Sequence, residues 1–334
     1  MSNKKVTDYD YLFLSSALRA KETKMLTKDK LERMLDAPSF DDAAKILMDC
    51  GYEDMSGMNL SELEKALAAH RAEIFSELYP LIPEPSIVDA FRLKYDYHNA
   101  KVLIKAESAD IDGAYLFSES GMVPIETIAE AYHSEDYSAL PKKLGESLRE
   151  ARSVIKRTEN SQLADFVLDK AYFDEMKEYA EKLYSPFLAD YVKLSIDGVN
   201  LRTAVRTLRM GRDIDFLRNA LIAGGNIEDE LVAEAAYSEE GFAPLYGETP
   251  YKEAALLGAD AAKGGRLTEF ELSCDNVLIK FLEKAKYHNF GAQPVIAYIG
   301  ALENEITAAR MILSGKLSGV EPALIRERLR DINA

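Results

Sequence analysis

The chain has 334 residues, 47% of them apolar and 29% charged, with a net charge of −16. That length suits two or three domains with sizeable cores, and the apolar content excludes a chain kept disordered by its composition. The acidic excess argues against nucleic acid, whose phosphates need clustered Lys and Arg, and against docking on anionic lipid headgroups.

The first ten residues, Met1 to Asp10, are polar and of mixed charge, so no apolar leader is expected there. No window of ~18 apolar residues follows, so no membrane span is expected. Proline is scarce (11) and glycine modest (18), while the helix formers Ala, Leu, Glu and Lys abound. Long helices are expected over 9–22, 60–79, 86–106, 161–183, 187–209, 266–286 and 294–314. Ser39 followed by Asp42, and Asn59 followed by Glu62, have the form of helix N-caps, where a short side chain accepts an orphan backbone N–H. Gly51, Gly113, Gly211 and the Gly224-Gly225 pair supply stop signals. In the stretch from Phe91, the residues Phe91, Tyr95, His98 and Val102 recur at helical spacing and are expected to share one apolar face. No convincing period-two run appears, so the expected class is all-α.

Compared with itself, the chain repeats weakly. Leu93-Lys94-Tyr95-Asp96-Tyr97-His98-Asn99-Ala100-Lys101 lies over Leu194-Ser195-Ile196-Asp197-Gly198-Val199-Asn200-Leu201-Arg202, 101 residues on. Leu, Asp and Asn match, and a basic residue closes both segments. A third segment, Tyr298 to Arg310, puts Asn304 at the place of Asn99, but Ala301 stands where the Asp should be. Acid-rich segments beginning at Ser39, Ser134 and Ser238 form a second, looser set. A period near 100 is too long for an ordinary solenoid, so three similar helical domains are expected, over 1–112, 113–218 and 219–334. Asp96 and Asn99 share a helix face, as do Asp197 and Asn200. If buried, these pairs need partners, and their simplest role is to pin a neighbouring helix or loop.

Signatures of chemistry are missing. There is no G-x-x-x-x-G-K-[S/T] phosphate loop, no G-x-G-x-x-G and no G-x-S-x-G elbow. The histidines, His70, His98, His133 and His288, lack metal-ligand spacing. Asp41-Asp42-Ala43-Ala44-Lys45 comes nearest to the Asp-rich magnesium motif of helical diphosphate enzymes, but ends in a cation. Cys50 and Cys274 form no C-x-x-C pair and read as thiols in a reducing cytoplasm. No catalytic residue, cofactor or metal is expected.

Several segments, in order along nearly the whole chain, resemble the C subunit of V-type and archaeal-type ATPases, which is the d subunit in eukaryotic enzymes. They are Tyr9-Asp10-Tyr11-Leu12 leading to Ala17–Glu22, Leu35–Phe40 followed by Leu47–Tyr52, and Phe91–Lys101 with its Lys-Tyr-Asp-Tyr-His-Asn run. Asp197–Arg202 and Glu303-Asn304-Glu305 before Arg310–Leu313 complete the set. The resemblance implies three similar helical domains arranged as a funnel with pseudo-threefold symmetry. It implies a non-catalytic rotor piece, a monomer within a hetero-oligomeric complex, which receives the D and F subunits of the shaft and sits on the cytoplasmic face of the membrane proteolipid ring. It would hand torque between ATP chemistry and proton or sodium movement, without nucleic acid or small-molecule substrate of its own. A helical scaffold of another assembly and an unrecognised helical enzyme are the competing readings.

A coupler of this kind needs stiffness and a large specific interface. Arg19, Arg202, Arg206, Arg209 and Arg310 at helix ends are candidates for that interface, with intradomain ion pairs as the alternative. The acidic stretches Glu228–Glu230 and Ser238–Glu240 are candidates for meeting basic partner residues.

Overall fold

Several helices begin where the sequence supplies a side-chain cap. In the computed structural model, which describes residues 6–111, 113 and 116–332, Ser39 accepts the Asp42 N–H at 3.1 Å and opens α3 (Phe40–Met48). Asn59 accepts from the Ser61 and Glu62 amides while Glu62 reaches back to the Asn59 N–H, closing a capping box at α4 (Leu60–Leu78). Gly51 and Gly211 follow helix ends with φ of +92° and +64°, a region that costs other residues strain.

No strand occurs among the described residues. The remaining helices are α1 (Leu12–Glu22), α2 (Lys28–Asp36), α5 (Ser86–Ala109), α6 (Ile125–Ser134), α7 (Lys142–Thr158), α8 (Ser161–Lys182) and α9 (Pro186–Arg209). They continue with α10 (Ile214–Ala220), α11 (Asp229–Ala236), α12 (Lys252–Ala262), α13 (Leu267–Glu283), α14 (Ala292–Leu317) and α15 (Pro322–Arg326). The seven long helices expected from periodicity are all present, with ends shifted by up to three residues. The expected 9–22 helix starts as a 3-10 turn, Asp8–Tyr11, and the 266–286 helix ends as one, Lys284–Tyr287.

The described chain forms two compact units. The first, Met1–Val88 with Arg266–Ala334, is organised around α14, against which α1, α2, α3, α4, α13 and α15 pack. Ile296, Ile299, Leu302, Ile306, Ile312 and Leu313 on that helix are buried, each contributing roughly 1.5–3 kcal/mol by leaving water. The second unit, Asp89–Gly265, is organised around α9, which packs on α8, α10, α11 and α12, with α7 laid against α8.

Two expectations need correction. His98 does not lie in the core: it is exposed, and its Nε2 sits 2.8 Å from the Leu116 carbonyl, while Phe91 and Val102 are buried. The apolar stripe of α5 therefore narrows where its third member was expected. The acid-rich serine segments are also unequal. Ser39 opens a helix, but Ser134 is the last residue of α6 and Ser238 follows α11, bonding back to carbonyls at Glu130 and Ala235.

Candidate functional site

Asp96 and Asn99 point from α5 into the segment that leads to α6, and both are buried. The Asn99 amide donates to the Ser118 carbonyl and accepts from the Ser118 N–H, both at 2.9 Å. One planar side chain thus satisfies both backbone groups of a loop residue, groups that would be costly to bury unpaired. One turn earlier, Asp96 accepts the Val123 N–H at 3.0 Å. Arg92, a further turn back, donates to the carbonyls of Ser120 and Gly121. Gly121 lies directly against the Asp96 carboxylate, and a Cβ there would collide with it. Burial pushes the Asp96 carboxyl up to about 6, with the Val123 and Met122 amides and Arg92 pulling the other way.

The same arrangement recurs in α9. The Asn200 amide donates to the Ile222 carbonyl at 2.8 Å and accepts from the Ile222 N–H at 2.9 Å. Asp197 accepts the Ile227 N–H at 3.1 Å and the Asn226 side chain at 2.7 Å. Gly225 lies against its carboxylate as Gly121 lies against that of Asp96. Burial raises the Asp197 carboxyl, and the Asn226 and Ile227 bonds partly offset this. The clamped residues stand 104 apart, Ser118 with Ile222, Gly121 with Gly225 and Val123 with Ile227. In each case the N–H held by the Asp precedes the next short helix by two residues.

On α14 the pattern is rearranged. Asn304 is 7% exposed and its amide donates to the Asp331 carbonyl at 2.7 Å, but its Oδ1 has no hydrogen-bond partner among the described residues. Ala301, at the place of Asp96, offers no acceptor. That duty falls to Glu305, which is 3% exposed and accepts the Leu26 N–H at 2.5 Å and the Tyr52 hydroxyl at 2.8 Å. Leu26 stands two residues before α2, the position that Val123 holds before α6 and Ile227 before α11. Burial raises the Glu305 carboxyl, with the Leu26 and Tyr52 bonds opposing it.

The remaining motif residues do other work. Lys94 lies 4.8 Å from the centre of the Tyr95 ring, and Lys101 pairs with Asp169 on α8. Arg202 is half-buried on α9. Of the arginines proposed for a partner surface, Arg19 bonds Glu22 at 2.8 Å and reaches the carbonyls of Ala285 and His288. Arg209 donates to the carbonyls of Ala261 and Gly265, closing the end of α12, where a cation suits the helix dipole. Arg310 pairs with Glu64 at 2.9 Å, and Arg206 is exposed. Glu230 pairs with Arg218 at 2.5 Å, while Glu239 and Glu240 are exposed.

Sequence reasoning took Gly225 only as a stop signal and Arg92 and Glu305 only as members of the resembling segments, and it did not name Gly121. The signal for the glycines was present in their 104-residue separation, close to the 101-residue offset of the two aspartates. The signal for Glu305 was not, because its partners Leu26 and Tyr52 are more than 250 residues away. Among features that a partner would meet, the turn after each of α4, α8 and α13 leaves a tyrosine exposed, Tyr79, Tyr184 and Tyr287. No helix among the described residues is long and apolar enough to cross a membrane, and no group of three or more His, Cys, Asp or Glu among them is placed to hold a metal ion.

The family model for the ATP synthase (C/AC39) subunit matches residues 14–328. The chain is 26% identical to the C subunit of the V-type sodium ATPase of Enterococcus hirae, over 97% of its own length and 99% of that protein. It is 25% identical to the C subunit of the V-type ATP synthase of Thermus thermophilus, over 96% and 98% of the two chains. To the C subunit of the A-type ATP synthase of Thermococcus kodakarensis it is 25% identical, over 98% and 92%. With a match running from the first helix to the last, this chain belongs to the ATP synthase (C/AC39) subunit family.

Proposed function

We propose that the chain is a non-catalytic rotor subunit of a V- or A-type ATPase. It joins the D and F subunits of the shaft to the membrane proteolipid ring and transmits torque between ATP chemistry and proton or sodium transport. It would lie on the cytoplasmic side, peripheral to the membrane through that ring. The observation that carries this reading is the full-length match to the family and to C-type subunits of nearly equal length.

The buried clamps support it physically. A part that passes torque has to resist bending, and loops tied down by paired backbone groups on long helices give local stiffness. The same bonds support a reading of three helical repeats, each a short helix, a second helix and two long ones, joined near Leu26, Val123 and Ile227. Tyr79, Tyr184 and Tyr287, at matching turns of those repeats, are candidates for the partner surface, since exposed aromatics are favoured at interfaces.

Native mass spectrometry of the purified chain mixed with the D–F pair tests the reading. A one-to-one-to-one complex is expected. Absence of any complex at micromolar concentration, both alone and with the proteolipid ring added, would assign the chain to another assembly.

A further inference from the structure

We propose that Lys30 and Cys50, in the first unit, form a redox-sensitive lock: hydrogen peroxide joins the Cys50 sulfur to the Lys30 nitrogen, and a thiol reductant parts them. The lock does not rest on the function proposed above.

The two side chains already touch. Lys30 Nζ lies 3.3 Å from Cys50 Sγ and 3.4 Å from the Asp49 carbonyl, so a backbone group steers the amine onto the sulfur. Lys30 stands in the first turn of α2, and Cys50 two residues after α3. The Cys50 N–H donates to the Leu47 carbonyl at 2.8 Å, which fixes the turn that presents the thiol. Cys50 is 8% exposed and Lys30 half-buried. The next residue, Gly51, borders open space, where an added Cβ would meet nothing within 4 Å. A small neutral oxidant has a way in at this turn. Cys274, by contrast, is fully buried on α13. Closing the gap to bonding distance asks for a small shift of the flexible four-carbon lysine stem.

The chemistry balances with one peroxide. The Cys50 thiolate attacks it, an S–O bond forms and the O–O bond breaks, leaving a sulfenic acid. The Lys30 ammonium gives a proton to the departing hydroxide, which leaves as water, and becomes a neutral amine. Its lone pair then attacks the sulfur, an S–N bond forms, and the sulfenic oxygen leaves as a second water with one amine hydrogen. Peroxide is reduced to two waters, and thiol and amine together lose two hydrogens. Burial and the Glu305 carboxylate raise the thiol above its ordinary value, with Lys30 opposing them, so the reaction is slow and answers a sustained oxidant. The new bond would cross the gap that Glu305 spans. Glu305 holds the Leu26 N–H, four residues before Lys30, and the Tyr52 hydroxyl, two residues after Cys50. A covalent link between the same two segments, 20 residues apart at Lys30 and Cys50, keeps them together when the carboxylate lets go.

The full-length chain is treated with hydrogen peroxide, digested with trypsin without reductant and read by mass spectrometry. Residues 29–33 are expected to be joined to residues 46–65, lighter by two hydrogens than the two peptides together, and to separate on adding dithiothreitol. The melting temperature of the joined chain should rise, and dithiothreitol should return it to its starting value. Lys30→Arg keeps the positive charge but offers no amine to condense. It should leave the peptides apart and let Cys50 pass on to the sulfinic acid. Equal conversion of Cys50 to the sulfinic acid in both proteins, with no joined peptide, overturns the lock. So does a Cys50 left unoxidised at a peroxide concentration that converts the exposed Met48 to its sulfoxide.

Discussion

Asn200 and Asn304 occupy matching places on the central helices of the two units, yet one is saturated and the other is half used. Asn200 holds both backbone groups of Ile222, with Asp197 one turn away holding Ile227. Asn304 holds a single carbonyl, and the acid that completes its neighbourhood, Glu305, comes from a different register of the helix. The contrast teaches that a buried Asn is kept for the backbone it faces, and that the aspartate's task can move along the helix when the chain arriving opposite it changes.

The sharpest way to break the comparison is Asn200→Leu. It strands an N–H and a carbonyl in a dry interior and should cost about 3 kcal/mol in urea unfolding. The same change at Asn304 strands one carbonyl and should cost about 1 kcal/mol. Equal costs would mean that the two sites are not the distinct devices described.

Gly225→Ala drives a Cβ into the Asp197 carboxylate and loosens its bonds to Asn226 and Ile227, at about 2 kcal/mol. Gly121→Ala should match it through Asp96. A milder effect at one of the two would rank the clamps.

Next comes pH. The Asp96 carboxyl, near 3.8 in the unfolded chain, is raised to about 6 when folded. Between those values the folded state holds the proton that the unfolded state has lost, so stability falls as pH rises from about 4 to 6. The expected loss is about 2 kcal/mol, and Asp96→Asn should flatten that slope because its Oδ1 still accepts from Val123. An unchanged slope would move the titration to Asp197 or Glu305, which burial shifts the same way. The smallest effect belongs to Arg310→Ala. Its pair with Glu64 is two-fifths exposed on both sides, and its loss should cost under about 0.5 kcal/mol.

Much of this was legible from residue order. Helical spacing located the seven long helices, and the caps at Ser39 and Asn59 form the bonds their side chains suggest. These signals are local, and local geometry decides them. The Asp-x-x-Asn pairs were readable as buried pins because two polar residues on an apolar face have few other uses. What they pin was not readable: Ser118 and Ile222 share no side-chain chemistry, since only their backbones are held. Arg19 and Arg209 looked available for a partner, yet both serve carbonyls at helix ends brought near by folding, 266 and 52 residues away. The competition between an intrachain carbonyl and a partner's acid is settled by tertiary placement, which spacing along the chain does not carry.

The pairing of residues 1–88 with residues 266–334 in one unit has a consequence for synthesis. Helices α1 to α4 leave the ribosome without α14, the element that buries them, and 177 further residues, Asp89–Gly265, must be made before it follows. At about 5–20 residues per second that is roughly 10–35 s, time enough for the intervening unit to emerge complete while the first stands half-built with its apolar faces open. The faces of α1 to α4 that α14 covers stay open to solvent until it is made, and the arrival of Glu305 at the Leu26 N–H and the Tyr52 hydroxyl marks the end of that wait.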